Sequence, residues 1–128
     1  MSSAPGDERF SLSRGEAPSE ESILFVDFKD VPVREPVPGY RVRFVHSGNM
    51  TIAHWEIEAG SEMPEHSHAH EQVVNIVEGE FELLIAGEPR TIMPGTVVVI
   101  APYVSHSGRA LTFCRMIDAF YPVREDYR

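Results

Sequence analysis

From Tyr40 onward, short apolar runs alternate with polar residues and are broken roughly every 8–12 residues by turn-forming pairs, the spacing of a β-sandwich or barrel. The pattern predicts strands near Arg41–His46, Met50–Glu58, Gln72–Val77, Glu80–Ile85, Thr96–Ile100 and Thr112–Tyr121. Turns are expected at Ser47-Gly48-Asn49, Ala59-Gly60, Glu78-Gly79, Ala86-Gly87 and Pro94-Gly95. An earlier strand is expected at Ser22–Phe28 (SILFVDF). The VPVREPVPG that follows carries three prolines and reads as an extended linker with turns. No segment keeps helical periodicity over three turns, and no internal repeat is present. The pattern therefore predicts a small all-β barrel or double-sheet roll.

Side chains alternate faces along a strand, so parity sorts them. In Met50–Glu58, Ala53, Trp55 and Ile57 share the apolar face, which is the inward one; His54, Glu56 and Glu58 share the other. In Thr112–Tyr121, Asp118 and Phe120 project together with Cys114 and Met116. Arg115 and Ile117 point the opposite way.

Length and charge narrow the classes. The 128 residues are enough for one domain with its own core. Residues 1 to about 20 are rich in Ser, Pro, Gly and Glu and read as a flexible tail, with the folded domain over 21–128. No stretch approaches the ~18–20 apolar residues of a membrane span. Met1–Phe10 lacks a basic patch followed by an apolar segment, so no signal peptide is expected. With a single cysteine, Cys114, no internal disulfide is possible, and a cytoplasmic location is expected. A net charge of −9 disfavours nucleic-acid binding but not an anionic substrate, because a pocket's local field can oppose the overall charge.

The candidate chemistry lies in the histidines. Three of the six fall within His66-Ser67-His68-Ala69-His70. His66 and His68, two apart in an extended segment, point the same way and suit one metal ion. His106 lies far downstream, where a distant strand would deliver a third ligand.

The stretch Gly60-x5-His66-x-His68-x3-Gln72-x6-Gly79 resembles the first motif of the cupin superfamily, with Gln72 where Glu is usual. Gly95-TVVVI-Ala101-Pro102-Tyr103-x2-His106 is similar to the second motif. There Ala101 and Tyr103 replace the usual proline and glycine, and Ala110 the usual asparagine. The resemblance implies a single-domain cupin, a jelly-roll barrel also called a double-stranded β-helix. It also implies one divalent transition metal (Mn, Fe, Ni, Zn or Co) on His66, His68, Gln72 and His106. Three imidazoles and an amide leave the full 2+ charge uncompensated, which suits an anionic substrate better than the carboxylate triads common in iron–oxygen chemistry. His70 is expected to be a partly exposed loop residue, and Glu71 to face away from the metal.

HSHAHEQVVNIVEGEFEL together with DAFYPVREDY is similar to the pectin-degradation cupins of the KdgF type, in which Gln takes the Glu position. These open 4,5-unsaturated monouronates to linear keto acids. The resemblance implies Asp118 as general acid–base and Phe120 as the residue packing the sugar face. Arg43, Arg115 and Arg124 are candidates to pair with a substrate carboxylate, Arg115 the poorest by parity. Trp55, Tyr103 and Met63 are candidate pocket liners, and Cys114 is expected only to pack. A small sugar-acid substrate and a homodimer, formed through the Ser22–Phe28 strand, are further implications. The alternatives are another metal cupin enzyme (dioxygenase, lyase or polyketide cyclase) or a metal- or ligand-binding cupin without turnover.

Overall fold

The computed structural model describes residues 22–128, so the expected tail over 1–20 lies outside the described residues. Ten strands follow in order: β1 Arg34–Val37, β2 Tyr40–His46, β3 Thr51–Ile57, β4 Glu62–His66, β5 Glu71–Glu78, β6 Phe81–Ile85, β7 Glu88–Ile92, β8 Val97–Ile100, β9 His106–Ala110 and β10 Cys114–Tyr121. Two short helical turns lie at Phe28–Asp30 and Glu125–Tyr127. Six strands form one antiparallel sheet in the order β1-β2-β3-β10-β5-β8, and four form a second in the order β4-β9-β6-β7. The two inner faces meet in an apolar core that includes Tyr40, Trp55, Ile57, Ile76, Phe81 and Ile100. This is the expected all-β jelly roll.

All six strands expected from Arg41 to Tyr121 form, within two residues of the expected ends. The expected parity holds as well. Ala53, Trp55 and Ile57 are buried on β3, and Cys114, Met116, Asp118 and Phe120 are buried on β10.

The N-terminal expectations are corrected. Ser22–Phe28 is not a strand: residues 23–27 join neither sheet, and Phe28 begins a short helical turn. Asp27 caps that turn, its carboxylate accepting from Lys29 N at 3.2 Å. The strand on this edge comes instead from the supposed linker, where β1 pairs with β2 across the Pro38-Gly39 turn. Pro36 is tolerated because an edge strand need not donate on its outer side. Three further strands, β4, β7 and β9, escape the hydrophobic pattern. Each is polar, β4 and β7 contain a proline, and β9 contains Gly108. Gly108 is required where it stands: a Cβ there would collide with the Phe81 ring. Gly79, the last glycine of the first motif, has φ +93°, and a Cβ there would strike the Phe113 carbonyl.

Candidate metal centre

Register carries the polar residues into the core in adjacent rows. β10 lies between β3 and β5. One row runs across the sheet as His46, Thr51, Phe120, Gln72 and Ile100. The next inward row carries Phe44, Ala53, Asp118, Val74 and Val98. Gln72 and Asp118 thus project inward on neighbouring strands, one row apart.

The second sheet supplies histidines opposite them. His66 ends β4 directly across from His106, which opens β9. Their ring centroids are 4.3 Å apart. His68 follows in the loop, its ring 5.2 Å from His106 and edge-on to Phe120 at 5.7 Å. One nitrogen from each of His66, His68 and His106 can be chosen so that all three lie within 4.8 Å of one another.

Each of these rings is held by its other nitrogen. Nδ1 of His66 lies 2.8 Å from the Pro64 carbonyl, that of His106 lies 2.8 Å from Val104 O, and that of His68 lies 3.0 Å from His70 O. A carbonyl only accepts, so each Nδ1 carries the hydrogen and each Nε2 presents a lone pair. The Gln72 amide is oriented in the same way. Its NH2 donates to Asp118 Oδ2 at 3.0 Å, which turns Oε1 toward His68 Nε2, 3.1 Å away. Two acceptors therefore face each other at hydrogen-bond distance with no proton between them. His106 Nε2 is buried and has no partner at all. Orphaned, converging lone pairs of this kind are costly unless a cation takes them up, so the donor set fits a divalent metal ion. Burial, reinforced by the Arg124 charge, lowers the His68 pKa to about 4, and burial also lowers that of His106. Both imidazoles are then neutral at neutral pH, as metal ligation requires.

Asp118 is 3% exposed. Burial raises its pKa to about 7, partly offset by the Gln72 amide and the Trp55 indole N–H. Its Oδ1 and Trp55 Nε1 are nevertheless both buried without a well-formed hydrogen bond. Such a carboxyl can take up and release a proton near neutrality.

Arg124 completes the cavity. Its guanidinium grips Asp126 at 3.0 and 2.7 Å and lies between the rings of Phe120 and Tyr127, at 4.7 and 4.4 Å. Of the three candidate arginines it alone lines the cavity. Arg43 lies over Phe28 and donates to Val31 O, while Arg115 pairs with Glu56 and Glu78 on the exposed face. Trp55 and Met63 line the cavity, as expected; Tyr103 does not, being 74% exposed. His70 is half-buried in the loop, Glu71 is exposed, and Cys114 is fully buried, all as expected. Sequence parity could not reveal the second orphan on this wall, Trp55 Nε1, because it assigns a face and not a partner.

A jelly roll with converging histidines on facing strands is the architecture of a cupin, and the chain belongs to that family: the Cupin domain model matches residues 53–120. The chain is similar to an RmlC-like cupin from Shewanella frigidimarina, with 26% identity and a TM-score of 0.76 over 81% of this chain and 95% of that one. It is equally similar to KdgF from a Halomonas species, with 26% identity and a TM-score of 0.75 over 82% of this chain and 98% of that one. Oxalate decarboxylase of Bacillus subtilis shares the fold, with 17% identity and a TM-score of 0.68 over 76% of this chain and 29% of that one. No curated protein sequence matches significantly.

Proposed function

We propose that the protein is a metal-dependent enzyme that opens a 4,5-unsaturated uronate, or a related sugar acid, to its linear keto form without redox chemistry. The observation that carries this reading is the Gln72 carboxamide, which joins the histidine cluster to a buried acid: Oε1 toward His68, NH2 on Asp118. The similarity to the Halomonas KdgF supports the substrate class.

In this reading His66, His68, Gln72 and His106 hold the metal. A divalent ion there would supply a Lewis acid that polarises oxygen atoms of an anionic substrate. Arg124 pairs with the substrate carboxylate, its guanidinium already held by Asp126, Phe120 and Tyr127. Phe120 packs against the sugar face. Asp118 moves the proton. Ring opening takes a proton from the anomeric hydroxyl and breaks the bond from C1 to the ring oxygen, leaving an aldehyde at C1 and an enolate at C5; the enolate then takes the proton at C4 to become the ketone. A carboxyl titrating near 7 suits both transfers.

We also read the chain as a cytoplasmic homodimer. The dimer is supported by the exposed run Ile23–Val26, where Phe25 is 90% exposed.

The test is the loss of ultraviolet absorbance of a 4,5-unsaturated galacturonate monomer. Loss faster than the spontaneous rearrangement, abolished by chelator and by Asp118→Ala, is expected. Metal-replete protein that gives no acceleration would refute the uronate reading and leave a cupin of another substrate.

A further inference from the structure

The wall of the cavity that carries Arg124 belongs to a short C-terminal strap, residues 122–128, that is not part of either sheet. Something outside the strap must hold it, because a single helical turn has no stability of its own. The row that contains Phe120 and Gln72 continues outward to Thr51 and His46, and these two residues meet the strap.

Thr51 is fully buried. Its hydroxyl oxygen accepts from the Arg124 backbone N–H at 2.9 Å. The same oxygen lies 2.8 Å from His46 Nδ1, and His46 Nε2 lies 3.3 Å from the Tyr127 carbonyl. That carbonyl only accepts, so Nε2 carries the hydrogen in the neutral ring, and the Thr51 hydroxyl gives its proton to Nδ1. Tyr127 O takes a second donor, Arg34 Nη1, at 2.9 Å. Within the strap, Tyr127 N donates to Arg124 O at 3.0 Å. The bonds close a ring: Arg124 N–H to Thr51, Thr51 to His46, His46 to Tyr127, Tyr127 back to Arg124. Packing reinforces it, since the Tyr127 ring is stacked on Phe44 at 4.2 Å and sits against the Arg124 guanidinium at 4.4 Å.

We propose that Thr51 and His46 are positioning residues that latch the C-terminal strap and thereby aim the Arg124 guanidinium into the cavity. Neither side chain lines the cavity, so both act through Arg124. The guanidinium uses Nε and Nη2 on Asp126, which leaves Nη1 for an anionic ligand. Loss of the Thr51 hydroxyl strands a buried backbone N–H, and the strap must shift to satisfy it. The functional part of this proposal rests on the uronate reading above; the latch itself does not.

The test has two arms on the full metal-loaded chain. In the first, KM and kcat are measured for 4,5-unsaturated galacturonate. Thr51→Val and His46→Leu are expected to raise KM about 10-fold with kcat within about 2-fold, the signature of a lost substrate-binding contact. Thr51→Ser keeps the hydroxyl and restores the wild-type KM. In an Arg124→Met background Thr51→Val adds nothing, because the effect runs through Arg124. Metal content stays at the wild-type level throughout. In the second arm, nitrogen-15 NMR follows the Arg124 Nε–H. The signal is expected to be protected from water exchange in the wild type and in Thr51→Ser, and lost in Thr51→Val and His46→Leu. If Thr51→Val does not fold, His46→Leu carries both arms. Unchanged KM in both variants, additivity with Arg124→Met, or a persistent Nε–H signal overturns the proposal. A wild type that does not process the uronate refutes the proposed substrate alone, and the NMR arm then decides the latch.

Discussion

Replacing Asp118 by Asn should stabilise the metal-free protein at high pH while disabling the enzyme. In the folded chain burial raises the Asp118 pKa from the usual 3.8 to about 7. The native state therefore binds a proton that the unfolded chain has already released. Below 3.8 both states are protonated and the residue costs nothing. Stability is lost as the pH rises from 3.8 to about 7, and the loss then levels off. At about 1.4 kcal/mol per pH unit, the whole interval amounts to about 4 kcal/mol. Asn removes that cost, but its NH2 faces the Trp55 indole N–H, a donor against a donor, which takes back ~1–3 kcal/mol. A net gain of about 1–3 kcal/mol at pH 8 is left, and at pH 4, where there is no proton cost to remove, the same donor clash leaves the variant less stable by ~1–3 kcal/mol. Urea unfolding of the chelator-treated protein between pH 4 and 9 measures it. The stability of the wild type should fall across this range relative to the variant. Parallel curves for the two proteins would show that Asp118 titrates as an ordinary carboxyl, and the acid–base role built on its burial would fall with them.

Gln72→Leu should weaken metal binding by about 10- to 100-fold, the range for disturbing a metal site's immediate surroundings; a cobalt(II) titration followed by absorbance checks it, and unchanged affinity would remove Gln72 from the ligand set. Sedimentation should give twice the 14.4 kDa chain mass, and truncation before Asp27 should return the monomer, since Ile23–Val26 is exposed rather than packed among the described residues; a wild type that sediments only as monomer would refute the dimer.

Strand alternation, turn residues and motif spacing were enough to read the all-β class, six strands, the inward face of Met50–Glu58 and the histidine cluster from the chain alone. These are local properties. A period of two sets the face, and a glycine with positive φ sets the turn. The polar strands β4, β7 and β9 were not legible: β4 and β9 take their pairing from partners far along the chain, and β7, although hairpinned to β6, buries only Ile92. The exchange at the N-terminus has a local origin. SILFVDF has the better strand composition, yet REPV takes the edge because a tight turn delivers it to β2.

The site divides along the same line. Residue identity and spacing single out His66, His68 and His106, and the resemblance to known cupins adds Gln72 and Asp118. Only the register of β10 between β3 and β5 places the Gln72 amide on the Asp118 carboxylate. Only burial gives that carboxylate a pKa near neutrality. The choice of Arg124 over Arg43 and Arg115 was likewise tertiary: parity places a side chain on a face, but the folded strap decides which guanidinium reaches the cavity.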